Sequence, residues 1–358
     1  MPTRRPLEIE YAVERGLDFI YRFACKPRNF SNYGSDLLWC FYLISSTSKN
    51  KQLRTQACEM GKARALQWRK DYRSLPSDRN ADVLVDYLYG SSAADKLGYT
   101  DPRLQGEIMK AIAEFQVAEY LCFDPTKEPP PANVSERCAC GVVNEHGRRR
   151  CVKCRKRLTT LNRYEVGFYA LTRTYSADRY GARLGARYAD VIRWLPQMRP
   201  YCGSDDPEFY DTVYFVTHVI YTLNGYGRYQ LSPRWLPNEF DFLKTHLQTA
   251  IANDDPEMTG EFVDSLKAFG LKNTHPLIRS GIAFLLSKQN HDGSWGDLKF
   301  RDAYARYHST WTAVDGLRDY AWRGERICFP KLLPALKRSA RSNGQPLMSA
   351  PARAARAG

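Results

Sequence analysis

Four cysteines carry the clearest chemical signal in this 358-residue chain: Cys138 and Cys140, followed after ten residues by Cys151 and Cys154. Two close pairs of thiolates at such a distance can surround one Zn²⁺ tetrahedrally, and Gly141 lets the backbone turn tightly beneath the metal. A four-thiolate site has no open coordination position, so the zinc expected here is structural. A redox cysteine pair would not need the second pair. His146, between the pairs, is an alternative ligand that reads better as a solvent-facing loop residue. The other six cysteines lie scattered in apolar or helical surroundings, where a free thiol acts as a small hydrophobe.

A second set emerges when helical segments are laid against one another. Asp36, Asp86, Glu165, His218, Glu261 and His308 open similar stretches, of which 218–227, 261–270 and 308–316 are the clearest copies. The steps are 50, 79, 53, 43 and 47 residues, and the long one falls to 50 when the 29 residues 129–157 are set aside as an insertion. A period of two helices, repeated six times, is the signature of a repeat architecture. If equivalent positions share one height around an axis, all six side chains approach that axis together. Two histidines and a carboxylate form a ligand set for Zn²⁺ or non-haem Fe²⁺ that leaves positions open. The expected catalytic metal ligands are therefore His218, Glu261 and His308, with Glu165 as a fourth ligand or general base. Trp39, Tyr89, Phe168, Tyr221 and Trp311, three residues further on, would line an apolar pocket one turn below. The competing reading is a wet mouth of polar side chains without a metal.

The elements needed to position these residues are legible. Apolar residues recur at helical spacing from Tyr11 to Leu336, and period-two alternation is nearly absent, so the expected fold class is all-α. Six hairpins bury their apolar faces by closing into an α/α toroid, six inner helices within six outer ones. The expected division is toroid over 7–128 and 158–340, a proline-rich linker plus zinc ribbon over 129–157, and a disordered tail over 341–358.

The segment Gln289-Asn-His-Asp292-Gly293-Ser-Trp295-Gly, after the apolar run 282–286, resembles the glutamine-tryptophan repeat of terpenoid cyclases and protein prenyltransferases. That resemblance implies a toroid in which the Gln closes an outer helix and the aromatic stacks at the turn into the inner one. Tyr307-His308 resembles the pair that opens the last inner helix of prenyltransferases, and the resemblance implies His308 as a zinc ligand. The family's other two ligands, an Asp and a Cys two residues apart, have no counterpart; Glu261 stands in that neighbourhood. The Asp-x-Asp-Asp motif of proton-initiated cyclases does not occur. Asp205-Asp206 and Asp254-Asp255, each followed by Pro-Glu, read as helix starts with acids near the positive end of the dipole.

A formal charge of +14 favours anionic partners. Arg148, Arg149, Arg150 and five further Lys or Arg between 137 and 157 face the single acid Glu145, so the ribbon is an expected contact for an anionic partner. Arg173, Arg228 and Arg318 read as partners of acids between helices. No stretch reaches the roughly 20 apolar residues that span a bilayer, and the start of the chain lacks a signal-peptide run, so a cytoplasmic protein is expected. The leading expectation is a metal-dependent enzyme acting on a hydrophobic or aromatic small molecule by iron oxidation or zinc-dependent transfer or lyase chemistry. The alternatives are a non-catalytic scaffold that binds nucleic acid or protein through the ribbon, and prenyl transfer or terpene-type cyclisation.

Overall fold

The computed structural model describes residues 4–77, 79–135, 138, 140, 142, 144, 148–158, 160–299 and 302–341. His146 and the segment 342–358 fall outside them, and residue 341 ends a helix. The chain is all-α, as the periodicity predicts. Six helices carry the six column residues: α2 (Pro27–Thr47), α4 (Ala81–Lys96), α7 (Arg163–Tyr180), α9 (Phe209–Asn224), α11 (Pro256–Ala268) and α13 (Ala303–Leu317). Between them run α1 (Arg4–Ala24), α3 (Lys51–Asp71), α5 (Pro102–Ala113), α6 (Val117–Leu121), α8 (Tyr188–Ile192), α10 (Pro237–Ala252) and α12 (Pro276–Lys288), with α14 (Leu333–Arg341) last.

Local chemistry sets many of the boundaries. Asn50, Asn80, Asp101, Asn162, Asp255 and Asp302 each accept backbone N–H groups as N-caps. Proline opens α5, α10, α11 and α12, where its missing N–H has no partner to lose. Left-handed Gly181 and Gly225 end α7 and α9.

The six column-bearing helices pack in sequence, α2 on α4, α4 on α7, α7 on α9, α9 on α11 and α11 on α13, and α13 returns to α2. Where hydrogen bonds mark both ends of a contact, residue numbers rise together. Tyr304 meets Asp36 and Arg318 meets Thr47 between α13 and α2; Ser309 meets Glu257 and Lys267 meets Gly316 between α13 and α11. These neighbours therefore run parallel, with their N-terminal ends together. The parallel ends sort charge: Asp82, Glu165, Asp211 and Glu257 occupy first turns, while Lys96, Arg179 and Lys267 occupy last turns, each complementing its helix dipole.

The backbones of α11 and α13 approach closely. A Cβ on Gly260 would stand 2.5 Å from the Thr312 carbonyl oxygen, and one on Gly316 would stand 2.9 Å from that of Gly260. Facing glycines let two backbones approach where no side chain fits. The helix before α9 departs from the expected hairpin: α8 has five residues and is followed by a short 3-10 turn, Leu195–Met198.

The two ends of the cycle are fastened by the motif that resembles the glutamine-tryptophan repeat. Gln289 follows α12 as its C-cap and donates from Nε2 to the Ala12 carbonyl (2.8 Å), tying the last hairpin to the first helix. Trp295 is fully buried and its indole N–H donates to Leu285 O at 2.7 Å. Between α6 and α7 a two-stranded antiparallel ribbon, β1 (Asn133–Ser135) with β2 (Thr160–Asn162), brings together the two ends of the segment that carries the four cysteines. Among the described residues no helix is long and apolar enough to cross a membrane.

Candidate functional site

A cavity of about 640 Å³ lies among α2, α4, α7, α9, α11 and α13. All six column residues, Asp36, Asp86, Glu165, His218, Glu261 and His308, line it, as do the five aromatics expected one turn further on. The repeat spacing thus converts directly into a shared wall, because parallel neighbours keep equivalent positions together.

Both histidines have Nδ1 close to an oxygen, His218 in a hydrogen bond and His308 in an ion pair. His218 lies with Nδ1 2.8 Å from the Tyr214 carbonyl, and its ring meets Phe168 edge-on at 4.5 Å between centroids. A carbonyl only accepts, so Nδ1 carries the proton and Nε2 keeps its lone pair. Burial and the neighbouring His308 push its pKa down to about 3, so the ring is neutral. His308 has Nδ1 3.0 Å from Glu257 Oε1. Burial opposes its charge, but the Glu257 carboxylate prevails and raises it to about 9. Burial likewise pushes Glu257 upward, and His308 overrides it, taking the carboxyl down to about 2. Glu257 also accepts from Ser309 Oγ (2.9 Å) and the Tyr214 hydroxyl. Glu261, between the histidines on α11, accepts from Thr217 Oγ1 at 2.8 Å, and burial lifts it to about 8.

Glu257 escaped the sequence analysis, which assigned the acids after Asp254-Asp255 to the helix dipole. Asp255 does cap α11, accepting from Met258 N at 2.9 Å, and Glu257, in the first turn as expected, also reaches His308. The available signal was its spacing: Glu257 and Glu261 are four residues apart on one helix face.

The expected ligands are neighbours without being assembled. Among the described residues, only Cys138/Cys140/Cys151/Cys154 and the half-exposed Cys202/Asp206/Glu208 form groups of three or more such side chains with donor atoms within 4.8 Å of one another. His218, Glu261 and His308 are not such a group; Tyr214 O, Glu257 and Thr217 each engage one donor atom of His218, His308 and Glu261 and leave the other. Glu165 sits at the third position of α7, and its Oε2 accepts the Asn162 N–H at 2.9 Å in a reciprocal capping box. Asp36 accepts from Tyr304 OH (3.2 Å), and burial raises its pKa, as it does that of Asp86.

Arg173 and Arg318 pair with acids as expected, with Asp82 and Asp315, each at 2.6 Å. Arg228 differs: its Nη2 donates to the Tyr42 hydroxyl.

In the insertion, Cys138 and Cys154 lie 3.2 Å apart and Cys140 and Cys151 3.5 Å apart, sulfur to sulfur. Four Zn–S bonds of about 2.3 Å in a tetrahedron need slightly wider spacing, so this cluster could hold a metal such as zinc. The Lys153 N–H donates to Cys151 Sγ at 3.4 Å, which favours the thiolate. Arg148, Arg149 and Arg150 beside it are exposed. No protein-family model, no curated protein and no solved structure matches the chain.

Proposed function

We propose that the chain is a metal-dependent enzyme with its active site in the cavity of an α/α toroid, using His218, Glu261 and His308 as ligands and a hydrophobic or aromatic small molecule as substrate. The cycle of six helices around one cavity supports the toroid. The metal reading is carried by one observation: both imidazoles place Nδ1 within 3.0 Å of an oxygen, the Tyr214 carbonyl for His218 and the Glu257 carboxylate for His308. Metal-ligating histidines are ordinarily oriented in this way: Nε2 of the neutral His218 is left to coordinate, and that of His308, charged without a metal, would do so once a cation displaces its proton. The two rings come from α9 and α13, on either side of the helix that supplies Glu261.

A zinc ion bound there would polarise a substrate oxygen or activate a nucleophile, and iron would add oxygen chemistry. The protein's own residues do the rest. Glu257 fixes the ring plane of His308, and Tyr214 links the two histidines by giving its carbonyl to His218 and its hydroxyl to Glu257. Glu261, largely uncharged while buried, ionises once it faces a cation. Trp39, Phe168, Tyr221 and Trp311 exclude water and hold an apolar body. Glu165 is the first-turn carboxylate of α7 at the cavity, with a capping duty that competes with a role as base.

The test is metal content by element-resolved mass spectrometry, for protein purified without added metal and for the His218→Ala/His308→Ala variant. Two metals per chain are expected in the parent and one in the variant, the remaining zinc belonging to the four cysteines. One metal per chain in both would refute the cavity site and favour a scaffold that works through the exposed Arg148, Arg149 and Arg150.

A further inference from the structure

Beside the cavity, toward the end opposite the first-turn acids, lie three cations without carboxylate partners; none of them lines the cavity, but Lys96 abuts its lining residue Trp39 and Arg228 follows its lining residue Tyr226 by two positions. Lys96 closes α4, Arg179 is the penultimate residue of α7, and Arg228 follows α9 by four residues. Lys96 Nζ lies 5.5 Å from the Trp39 ring centroid and 5.9 Å from that of Tyr42; the Arg228 guanidinium stands 5.9 Å from the same Tyr42 ring. The ion pairs among the described residues leave all three without a carboxylate, and the nearby Asp95 is taken by Arg69 at 2.7 Å. Burial, then Arg228, then Arg179 push Lys96 down to about 8.

Compensation of helix dipoles accounts for Lys96 and Arg179. It does not account for Arg228, which lies outside any helix and whose Nε is shielded from solvent without a hydrogen-bond partner. The backbone that delivers Arg228 is also strained. Gly225, Tyr226 and Gly227 are successively left-handed (φ 69°, 55° and 86°), a conformation unfavourable for tyrosine. It is enforced by neighbours: Asn224 Oδ1 accepts the Gly227 N–H (2.9 Å), Arg228 O accepts from Arg323 N (2.8 Å), and Tyr320 packs where a Cβ on Gly227 would stand. Strain that the surroundings over-determine concentrates at functional positions. Tyr226 lines the cavity beside Trp39, Leu43 and Tyr175, so this loop joins the cationic cluster to the aromatic wall.

We infer that Lys96, Arg179 and Arg228 form an anion-binding site at the C-terminal end of the helix cycle, which takes a phosphate or carboxylate group whose attached apolar body occupies the aromatic cavity. The inference rests on the proposed function only in naming the bound molecule a substrate; the site itself does not depend on the metal. It lies at the opposite end from the first-turn acids, so an occupant would be held by its anionic group with its far end toward His218 and His308.

Isothermal titration of the full chain with phenyl phosphate and with benzoate tests this, with benzyl alcohol as the uncharged comparison. One anion should bind and benzyl alcohol should not, and Lys96→Gln and Arg228→Gln should each weaken binding by at least about tenfold, the loss of one charge-assisted contact. Lys110→Gln, an exposed change on α5, should leave it unaltered. Tighter phenyl phosphate marks a phosphate site, and tighter benzoate a carboxylate site. Binding of neither anion, equal binding of benzyl alcohol, or unchanged affinity in Lys96→Gln would overturn the inference. Circular dichroism checks that both variants are folded, and Lys96→Gln decides if Arg228→Gln is not. Metal content is read separately, so failure here leaves the metal assignment standing, and the converse also holds.

Discussion

Gly260→Ala tests whether the α11–α13 contact governs the site. The added Cβ would meet Thr312 O at 2.5 Å and Thr312 C at 2.6 Å, both backbone atoms of the facing helix, so no side chain can rotate away. Restoring a carbon–oxygen separation of about 3.4 Å requires α13 to retreat by about 0.9 Å, enough to forfeit a quarter to a half of each dispersion contact along the interface. Overpacking of this kind costs about 3 kcal/mol, offset by about 1 kcal/mol from replacing a helical glycine, for a net loss of about 2 kcal/mol. Gly106→Ala supplies the matched comparison: Gly106 is also helical, on α5, and nothing stands within 4 Å of its added Cβ. That variant should gain up to about 1 kcal/mol. Urea unfolding of the three proteins under one buffer gives both values. Because His308 rides on α13 and Glu257 on α11, the retreat also separates the 3.0 Å ion pair, so Gly260→Ala should weaken retention of the metal proposed for the cavity as well as stability. Equal or greater stability than the parent, or a shift of the same sign as Gly106→Ala, would refute the reasoning.

Two further outcomes follow from the same geometry. In protein stripped of metal by chelation, the raised His308 pKa contributes stability in full below pH 6.5 and loses it as pH rises to about 9, whereas the depressed Glu257 pKa loses its contribution only as pH falls below about 4.5 toward 2. Denaturation midpoints should therefore drop between pH 6.5 and 9 by more in the parent than in Glu257→Gln; parallel profiles would contradict the pairing. Cys151→Ser should release one zinc per chain and leave the helical circular dichroism nearly unchanged, since the module joins the helices through β1 and β2; a global loss of helix would show that it supports the helix cycle.

Much of the site was legible because it obeys a repeat. Asp36, Asp86, Glu165, His218, Glu261 and His308 were picked out by spacing alone, and all six line one cavity because their helices are parallel neighbours. What each does there was less legible. Glu165 was expected as a ligand or base, and its position three residues after Asn162 makes it a capping carboxylate as well. Glu257 was assigned to the dipole, although its strongest partner, His308, is 51 residues away in sequence. Arg228 was expected to meet an acid, and the left-handed turn that presents it to Tyr42 could not be anticipated from Asn-Gly-Tyr-Gly without the packing of Tyr320.

By itself the sequence determined what local chemistry determines: helical periodicity, caps at Asn and Asp, prolines at helix starts, and four thiols spaced for one metal. These depend on residues within a few positions of one another, so composition and spacing suffice. The tertiary structure alone decided which charges meet. A buried carboxyl becomes a firm anion or an uncharged acid according to the neighbour that another helix brings within about 3 Å, as with Glu257 beside His308 and Glu261 without such a partner.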